Sequence, residues 1–161
     1  MPIAATEIKF YRSTNDLGGL ITGTEVVNAL THNLFDLVDG QGSLFGEINY
    51  RCVYIKNTNA SLEFLNAALQ LVNGTSSVTT DLEIGLGTSI IGGIEQTIAT
   101  EIEAPIGVIF SNVIGEAGAL TIGTIPKGGH KAVWFKRVVL ANTAAYADDQ
   151  VTVRITGESA S

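Results

Sequence analysis

Alternation of apolar and polar side chains along the chain predicts a series of short β-strands. Successive side chains of a strand point to opposite faces, and turn-forming residues separate one alternating stretch from the next. We predict strands at residues 7–12, 47–56, 61–72, 81–86, 106–113, 119–125, 131–140 and 151–156. This pattern favours an all-β, single-domain β-sandwich with little or no helix.

The strand at residues 131–140 contains the only tryptophan and organises the prediction. Both of its faces are mostly apolar, whereas a strand in a simple sandwich buries one face and exposes the other. A strand of this kind needs a second cover, from another part of the chain or from another subunit. One face carries Ala132, Trp134, Lys136, Val138 and Leu140, and the other carries Lys131, Val133, Phe135, Arg137 and Val139.

The second strong strand, residues 47–56, places Tyr50, Cys52 and Tyr54 on one face. It can pair with residues 61–72 as a hairpin, with Thr58 and Asn59 at the tip. Alternatively, the chain crosses between two sheets at this point. The sequence leaves both arrangements open.

Three stretches have no clear periodicity. Residues 17–23 are rich in glycine and are predicted as a flexible apolar loop. Residues 24–38 carry both helical and strand signals; we favour strand, with a short strand at 34–38 that enters a turn. Residues 87–105 are predicted as a solvated acidic loop containing Glu95, Glu101 and Glu103, because these carboxylates lack the dense spacing of a calcium loop.

Length and composition favour one domain that belongs to an assembly. A chain of 161 residues can bury one core, and we assign residues 1–161 to one domain with extended or frayed tails at 1–6 and 157–161. Apolar residues make up 45% of the chain and charged residues only 16%. A surface so poor in charge exposes apolar patches unless a partner covers them, which favours an oligomer or an assembly component.

The net charge of −7 argues against nucleic acid as a partner, because phosphates repel an acidic chain. The basic and aromatic residues around Trp134 are therefore interpreted as a core strand with ion-paired ends. The N-terminal residues lack the basic and apolar regions of a secretory signal, and no apolar run is long enough for a transmembrane helix. We expect no membrane partner.

No catalytic, metal or cofactor motif is found, so we predict a protein that is not an enzyme. His32 and His130 lie far apart in sequence, and His130 is interpreted as a turn residue. Cys52, the only cysteine, is predicted to be a small buried apolar residue. Asp148 and Asp149 are interpreted as a polar hairpin loop.

Two stretches resemble a family of small structural proteins of tailed bacteriophages. The first is Ile48-Asn49-Tyr50-Arg51-Cys52-Val53-Tyr54-Ile55-Lys56-Asn57-Thr58-Asn59. The second is Ile125-Pro126-Lys127-Gly128-Gly129-His130-Lys131-Ala132-Val133-Trp134-Phe135-Lys136-Arg137. The family pattern is a Tyr-Arg-Cys run followed by Lys-Asn-Thr, and later Pro-x-Gly, a tryptophan and a basic pair. The resemblance implies a virion component with an immunoglobulin-like or related sandwich, such as a jelly-roll-like one.

The resemblance and the charge-poor surface together predict a capsid decoration or cement protein. Such a protein binds the outside of the shell and stabilises it by burying area between subunits of the major capsid protein. It is made in the host bacterial cytoplasm and binds further copies of itself, and a trimer would suit threefold positions. The candidate core or assembly residues are Trp134, Phe135, Tyr50 and Tyr54, with Arg51, Lys136 and Arg137 forming ion pairs at the strand edges.

Two alternatives belong to different functional classes. One is a tail or baseplate module that binds host-surface carbohydrate, for which Tyr11 or Tyr146 beside Asn and Asp residues could provide an aromatic platform. The other is a tail adaptor protein with the same fold. Binding to glycans would favour the first of these, and binding to empty heads would favour decoration.

Overall fold

Residues 2–27, 33–112, 114–146 and 149–159 are described by the computed structural model, and within them the chain forms ten β-strands and one α-helix. The all-β prediction is confirmed. The elements are β1 (Ile8–Ser13), β2 (Gly18–Gly19), β3 (Ile21–Glu25), α1 (Gly40–Phe45), β4 (Glu47–Asn57), β5 (Phe64–Leu71), β6 (Thr80–Leu86), β7 (Glu95–Thr97), β8 (Leu120–Ile125), β9 (His130–Val139) and β10 (Val153–Ser159).

The strands form three antiparallel sheets. The largest has the order β3-β1-β4-β9-β6, so the two strands with the strongest sequence pattern lie at its centre. A second sheet has the order β10-β5-β8, and β2 pairs with β7 in a two-stranded ribbon. β4 pairs with β9 and β5 lies in the second sheet, so the chain crosses between sheets after Asn57 and no hairpin joins β4 to β5.

The first face of the central sheet packs against the three-stranded sheet. Val53 on β4 lies opposite Val133 on β9, and both are buried. Burial of these aliphatic and aromatic side chains between two sheets is the main source of stability in a sandwich. The buried members of this cluster are Val53, Ile55, Phe64, Ala67, Leu69, Leu71, Ile84, Ile125, Val133 and Phe135.

The second face of the central sheet is covered by the same chain. Cys52 lies opposite Trp134, and both are fully buried. Ile98, Val108 and Phe110 pack over them. We call residues 88–111 the covering segment. The second cover that the two-sided apolar pattern requires is therefore another part of the chain.

Gly85 on β6 and Gly87 just after it allow the covering segment to approach the sheet. Gly85 lies opposite Trp134, and a Cβ atom there would come within 2.6 Å of Val108 Cγ1 and 2.7 Å of the Ile109 carbonyl oxygen. A Cβ at Gly87 would lie 2.4 Å from Glu95 Oε2. A side chain at either position would therefore displace the segment.

Several predictions for irregular regions were wrong. Residues 17–23 are not a flexible loop, because β2 pairs with β7 and β3 pairs with β1. The segment 34–38 forms no strand; arginine side chains, not a neighbouring strand, bind its carbonyl groups. Residues 106–112 form no strand either, apart from one bridge between Ser111 and Ile84. Of the two histidines, His130 begins β9 instead of lying in a turn, and His32 lies outside the described residues.

The ends of the described chain are more ordered than expected. β10 extends to Ser159, into the stretch that was predicted as an extended or frayed tail. Residues Ala5–Glu7 form a short 3-10 turn that spans the end of the predicted N-terminal tail and the start of the predicted first strand. The helix α1 was not predicted: the Asp39 side chain accepts hydrogen bonds from the backbone N–H groups of Gln41 and Gly42, as is usual at a helix N-terminus.

Candidate functional site

Glu95 is a buried polar residue near the middle of the covering segment, and only 3% of its surface is exposed. Its Oε1 atom accepts hydrogen bonds from the Thr88 backbone N–H at 3.1 Å and from Trp134 Nε1 at 3.3 Å. Its Oε2 atom accepts one from the Ser89 backbone N–H at 2.9 Å. The backbone N–H of Glu95 donates to the Tyr54 hydroxyl at 3.0 Å. Glu95 thus ties the covering segment to both central strands.

Hydrogen bonding keeps the buried Glu95 carboxylate ionised. Burial alone would raise its pKa, but the bonds from Ser89, Thr88 and Trp134 outweigh that effect and lower the pKa to about 2. The prediction of a solvated acidic loop is wrong at Glu95, which is a structural group of the interior. Glu103 is exposed and Glu101 is half-buried.

The aromatic candidates from the sequence belong to the interior of the single chain. Trp134 and Tyr54 are fully buried, Phe135 is 4% exposed and Tyr50 is 8% exposed. Tyr50 packs against the Phe110 ring with centroids 5.5 Å apart. Tyr50, Tyr54 and Trp134 pack beneath the covering segment, and Phe135 packs against the three-stranded sheet. None of the four presents a contact surface to another molecule.

Arg51 and Arg137 form a cationic cluster around the ring of Phe35. Their guanidinium carbons lie 5.8 and 5.0 Å from the ring centroid, within the range of a cation–π interaction. Arg51 contacts the carboxylates of Asp36 and Glu101. Both guanidinium groups also donate to carbonyl groups of the 34–36 segment, so the cluster fixes a chain segment that has no strand partner.

The remaining candidate contacts are ion pairs at the strand edges. Lys136 Nζ lies 2.9 Å from Glu83 Oε1 on the neighbouring strand, and Arg137 lies 2.7 Å from Glu47 Oε1. Burial lowers the pKa of Arg137, and the Glu47 carboxylate opposes that shift. The predicted basic residues therefore act within the chain, where partly buried pairs fix the positions of strands.

The exposed surface of the covering segment is rich in isoleucine. Five of its isoleucines are at least 65% exposed, and we call this set the isoleucine surface. The exposed fractions are 81% for Ile90, 65% for Ile94, 69% for Ile102, 85% for Ile106 and 83% for Ile109. Gln96 links the start of the covering segment to Ile106, because its side chain bonds to Thr88 Oγ1 at 3.2 Å and to the backbone N–H and C=O of Ile106 at 2.7 Å.

The covering segment also lies in a part of the chain without basic residues. No lysine or arginine occurs between Lys56 and Lys127. The nearest basic groups come from other parts of the chain, such as Lys131, which donates to the Gly87 and Ser89 carbonyls. This gap in the basic residues is visible in the sequence and could have drawn attention to the segment, which the sequence analysis missed.

A shallow depression of about 530 Å³ places Tyr11 beside Lys56 and Lys127. Asn59 also lines it, and Tyr11 is half-buried, whereas the carbohydrate alternative assumed an exposed Tyr11. Tyr146 is 56% exposed and immediately precedes residues outside the described ranges.

Cys52 and Asp149 both take part in the packing and hydrogen bonding of the fold. Cys52 is fully buried, and burial raises the pKa of its thiol. Asp149 accepts hydrogen bonds from the backbone N–H groups of Ser76 and Ser77, and Asp148 lies outside the described residues. Across the described ranges, no three His, Cys, Asp or Glu side chains come together as a metal site would require. The helices within those ranges are all too short or too polar to cross a membrane.

Comparison with family models, with curated proteins and with solved structures finds no match to this chain.

Proposed function

We propose that this protein is a non-catalytic structural subunit of a tailed-bacteriophage virion, which binds the outer surface of the major capsid shell and stabilises it. The observation that carries the proposal is the isoleucine surface. Five isoleucines with at least 65% exposure lie within residues 90–109. A set of exposed aliphatic side chains on one segment is typical of a protein contact surface.

The construction of this surface also supports a role in binding. The covering segment is anchored by the buried Glu95 and by Ile98, so its exposed residues are presented on a fixed base. A partner that binds a fixed surface loses less conformational entropy than one that must order a loop. The acidic net charge of −7 suits the outside of a capsid, away from the packaged DNA.

The partner assigned by this proposal is the major capsid protein, with further copies of the chain at neighbouring positions of the shell. Stabilisation arises because each copy buries apolar area that the bare shell exposes to water, at roughly 25 cal/mol per Å². No turnover is involved. The strength of attachment then depends on side chains such as Ile106 and Ile109, and not on the buried Trp134.

The test is co-sedimentation of the purified protein with expanded empty heads and, separately, with isolated tails. We expect many copies per head and none on tails. The variant Ile106→Ser/Ile109→Ser should lose most head binding while keeping the wild-type melting temperature, because exposed substitutions change stability by less than about 0.5 kcal/mol. Val78→Ser is the matched control, since Val78 is 97% exposed but lies outside the covering segment.

Two results would contradict the proposal. A few copies on tails with none on heads would replace decoration by a tail adaptor or host-binding role. Full head binding by the double isoleucine variant would show that the isoleucine surface is not the attachment site.

A further inference from the structure

The depression beside Tyr11 is distinct from the isoleucine surface in its chemistry. It is lined by Tyr11, Lys56, Thr58, Asn59, Ala60, Lys127 and Gly128. Three different parts of the chain form it: β1, the end of β4 with the turn that follows, and the turn between β8 and β9. The Asn57 backbone N–H donates to the Gly129 carbonyl at 3.0 Å, which holds the two turns together.

Lys56 and Lys127 are unusual among the basic residues of this acidic chain. In the part of the chain that the structure describes, five of the nine basic residues form ion pairs, and Lys131 donates to two carbonyl groups. Lys56, Lys127 and Arg154 do neither there. Two of these three unpaired cations line the same depression, in a chain with 16 acidic residues that could have paired with them.

The neighbouring polar groups leave the two ammonium groups free for a ligand. The Glu7 carboxylate accepts hydrogen bonds from the Asn59 side chain at 3.0 Å and from the Ala4 backbone N–H at 2.8 Å. Thr58 Oγ1 donates to the Glu7 carbonyl and can still accept a bond. The Tyr11 hydroxyl has no partner among the described residues, and Lys56 Nζ lies 5.6 Å from the Tyr11 ring centroid.

We propose that this depression binds a saccharide that carries an anionic group, either a carboxylate or a phosphate. The ammonium groups of Lys56 and Lys127 contact the anion, since lysine offers three donors and a concentrated charge. The Tyr11 hydroxyl and Thr58 Oγ1 bond to sugar hydroxyl groups, and the edge of the Tyr11 ring gives an apolar contact. The shallow, open form suits a polar ligand that stays partly in water.

Saccharide binding at this depression does not depend on the capsid role. The depression uses a different set of residues, and its binding is measured in solution with the isolated protein. Loss of head binding by the isoleucine variant and loss of saccharide binding by a lysine variant are therefore separate results.

The test is an NMR titration of the full chain with four probes at constant ionic strength: glucuronate, glucose 6-phosphate, glucose and inorganic phosphate. We expect the backbone signals of Tyr11, Lys56 and Lys127 to shift with at least one anionic sugar. That sugar should bind about tenfold more tightly than glucose, a difference that corresponds to about 1.4 kcal/mol. The carboxylate and phosphate sugars identify which anion is preferred.

Variants locate the binding. Lys56→Gln/Lys127→Gln should weaken the anionic sugar about tenfold or more, with an unchanged melting temperature. Arg154→Gln is the matched control, because it removes one unpaired surface cation elsewhere, on β10. Tyr11→Phe should weaken sugar binding and leave the weak binding of inorganic phosphate unchanged.

Three outcomes would overturn the proposal. The first is the absence of shifts at these residues with either anionic sugar. The second is that neither anionic sugar binds more tightly than inorganic phosphate, which would show that the sugar ring contributes nothing. The third is an equal loss of binding in Arg154→Gln, which would reduce the effect to general electrostatic attraction.

Discussion

At the scale of single residues, Glu95 carries a charge that folding removes from water and compensates with donated hydrogen bonds. Its pKa of about 2 in the folded chain lies below the ordinary 4.5, so folding favours the ionised form. The stabilisation is fully present above pH 4.5 and is lost as the pH falls from 4.5 to 2. The difference between the two pKa values corresponds to about 3 kcal/mol of the free energy of unfolding.

Glu95→Gln should therefore destabilise the protein by about 3 kcal/mol at pH 7, because a neutral amide accepts weaker bonds and turns an N–H group towards a donor. The measurement is urea unfolding at pH 7 and at pH 3. The difference in the free energy of unfolding between the variant and the wild type should be smaller at pH 3 than at pH 7. Glu63→Gln is the control, since Glu63 is exposed and makes no contact of this kind among the described residues. A gap that stays constant with pH would contradict this account of Glu95.

Truncation of Trp134 tests the packing between the second face of the central sheet and the covering segment. Trp134→Ala should lower the free energy of unfolding by about 3–5 kcal/mol, as for other buried aromatic truncations. Trp134→Phe should cost less, because it keeps an aromatic ring and loses only part of the buried volume together with the bond to Glu95. Labelling of Cys52 by a thiol reagent provides a second readout, since Cys52 is the cross-strand partner of Trp134 and is 0% exposed. We expect slow labelling of the wild type and fast labelling of the alanine variant.

At the scale of elements, the covering segment is ordered by close approach to β6. Gly85→Ala places a methyl group where Val108 and the Ile109 backbone lie, so the segment must move away from the sheet. We expect a loss of about 1–3 kcal/mol, as for overpacking in a core. Hydrogen exchange should locate the change: the N–H groups of Ile84 and Ser111, which bond to each other's carbonyls at 3.0 Å, should exchange faster.

Gly23→Ala is the matched control for this prediction. A Cβ atom at Gly23 would meet nothing within 4 Å, so the substitution tests only the general effect of replacing glycine in a strand. Its stability should stay within about 1 kcal/mol of the wild type. If Gly85→Ala also exchanges like the wild type, the segment is not held by close approach at this position.

The elements that were predicted correctly are those whose order comes from their own periodicity. The side chains of β4 and β9 alternate between the two faces of the sheet as predicted, and Tyr50, Cys52 and Trp134 lie on the predicted faces. The covering segment was missed because its order comes from distant partners, chiefly the bonds of Glu95 to Trp134 and Thr88. Residues 34–38 were misread for a similar reason, since guanidinium groups far along the chain replace a strand partner.

The candidate site could be predicted only in part, and the reason is physical. A strand with two apolar faces implies a second cover but does not say whether the cover is the same chain or another subunit. The sequence therefore offered Trp134 as core or as assembly surface, and only the position of Ile98 and Phe110 over it decides for core. The exposed Ile106 and Ile109 were assigned to a strand, because their exposure depends on the turn at Gly107, where φ is +74°.

At the scale of the whole molecule, a small number of charges must keep an apolar surface in solution. Charged residues are 16% of the chain, and the net charge of −7 supplies the repulsion between copies at neutral pH. The sequence pI is near 4.7, so this repulsion vanishes there while the isoleucine surface remains exposed. Copies of the chain should then associate through that surface.

Sedimentation velocity from pH 7.5 to 4.5 checks this prediction. The wild type should sediment as larger species on approach to pH 4.7 and return to its starting form when the pH is restored. Ile106→Ser/Ile109→Ser should shift the onset of association to lower pH or abolish it, whereas Val78→Ser should follow the wild type. Because the pKa of Glu95 is lowered to about 2 in the folded chain, its carboxylate is still ionised at pH 4.7, and we expect Cys52 to stay protected from labelling while the wild type associates. Association that starts together with an increase in Cys52 labelling would instead identify partial unfolding as the cause, and would remove the isoleucine surface as its explanation.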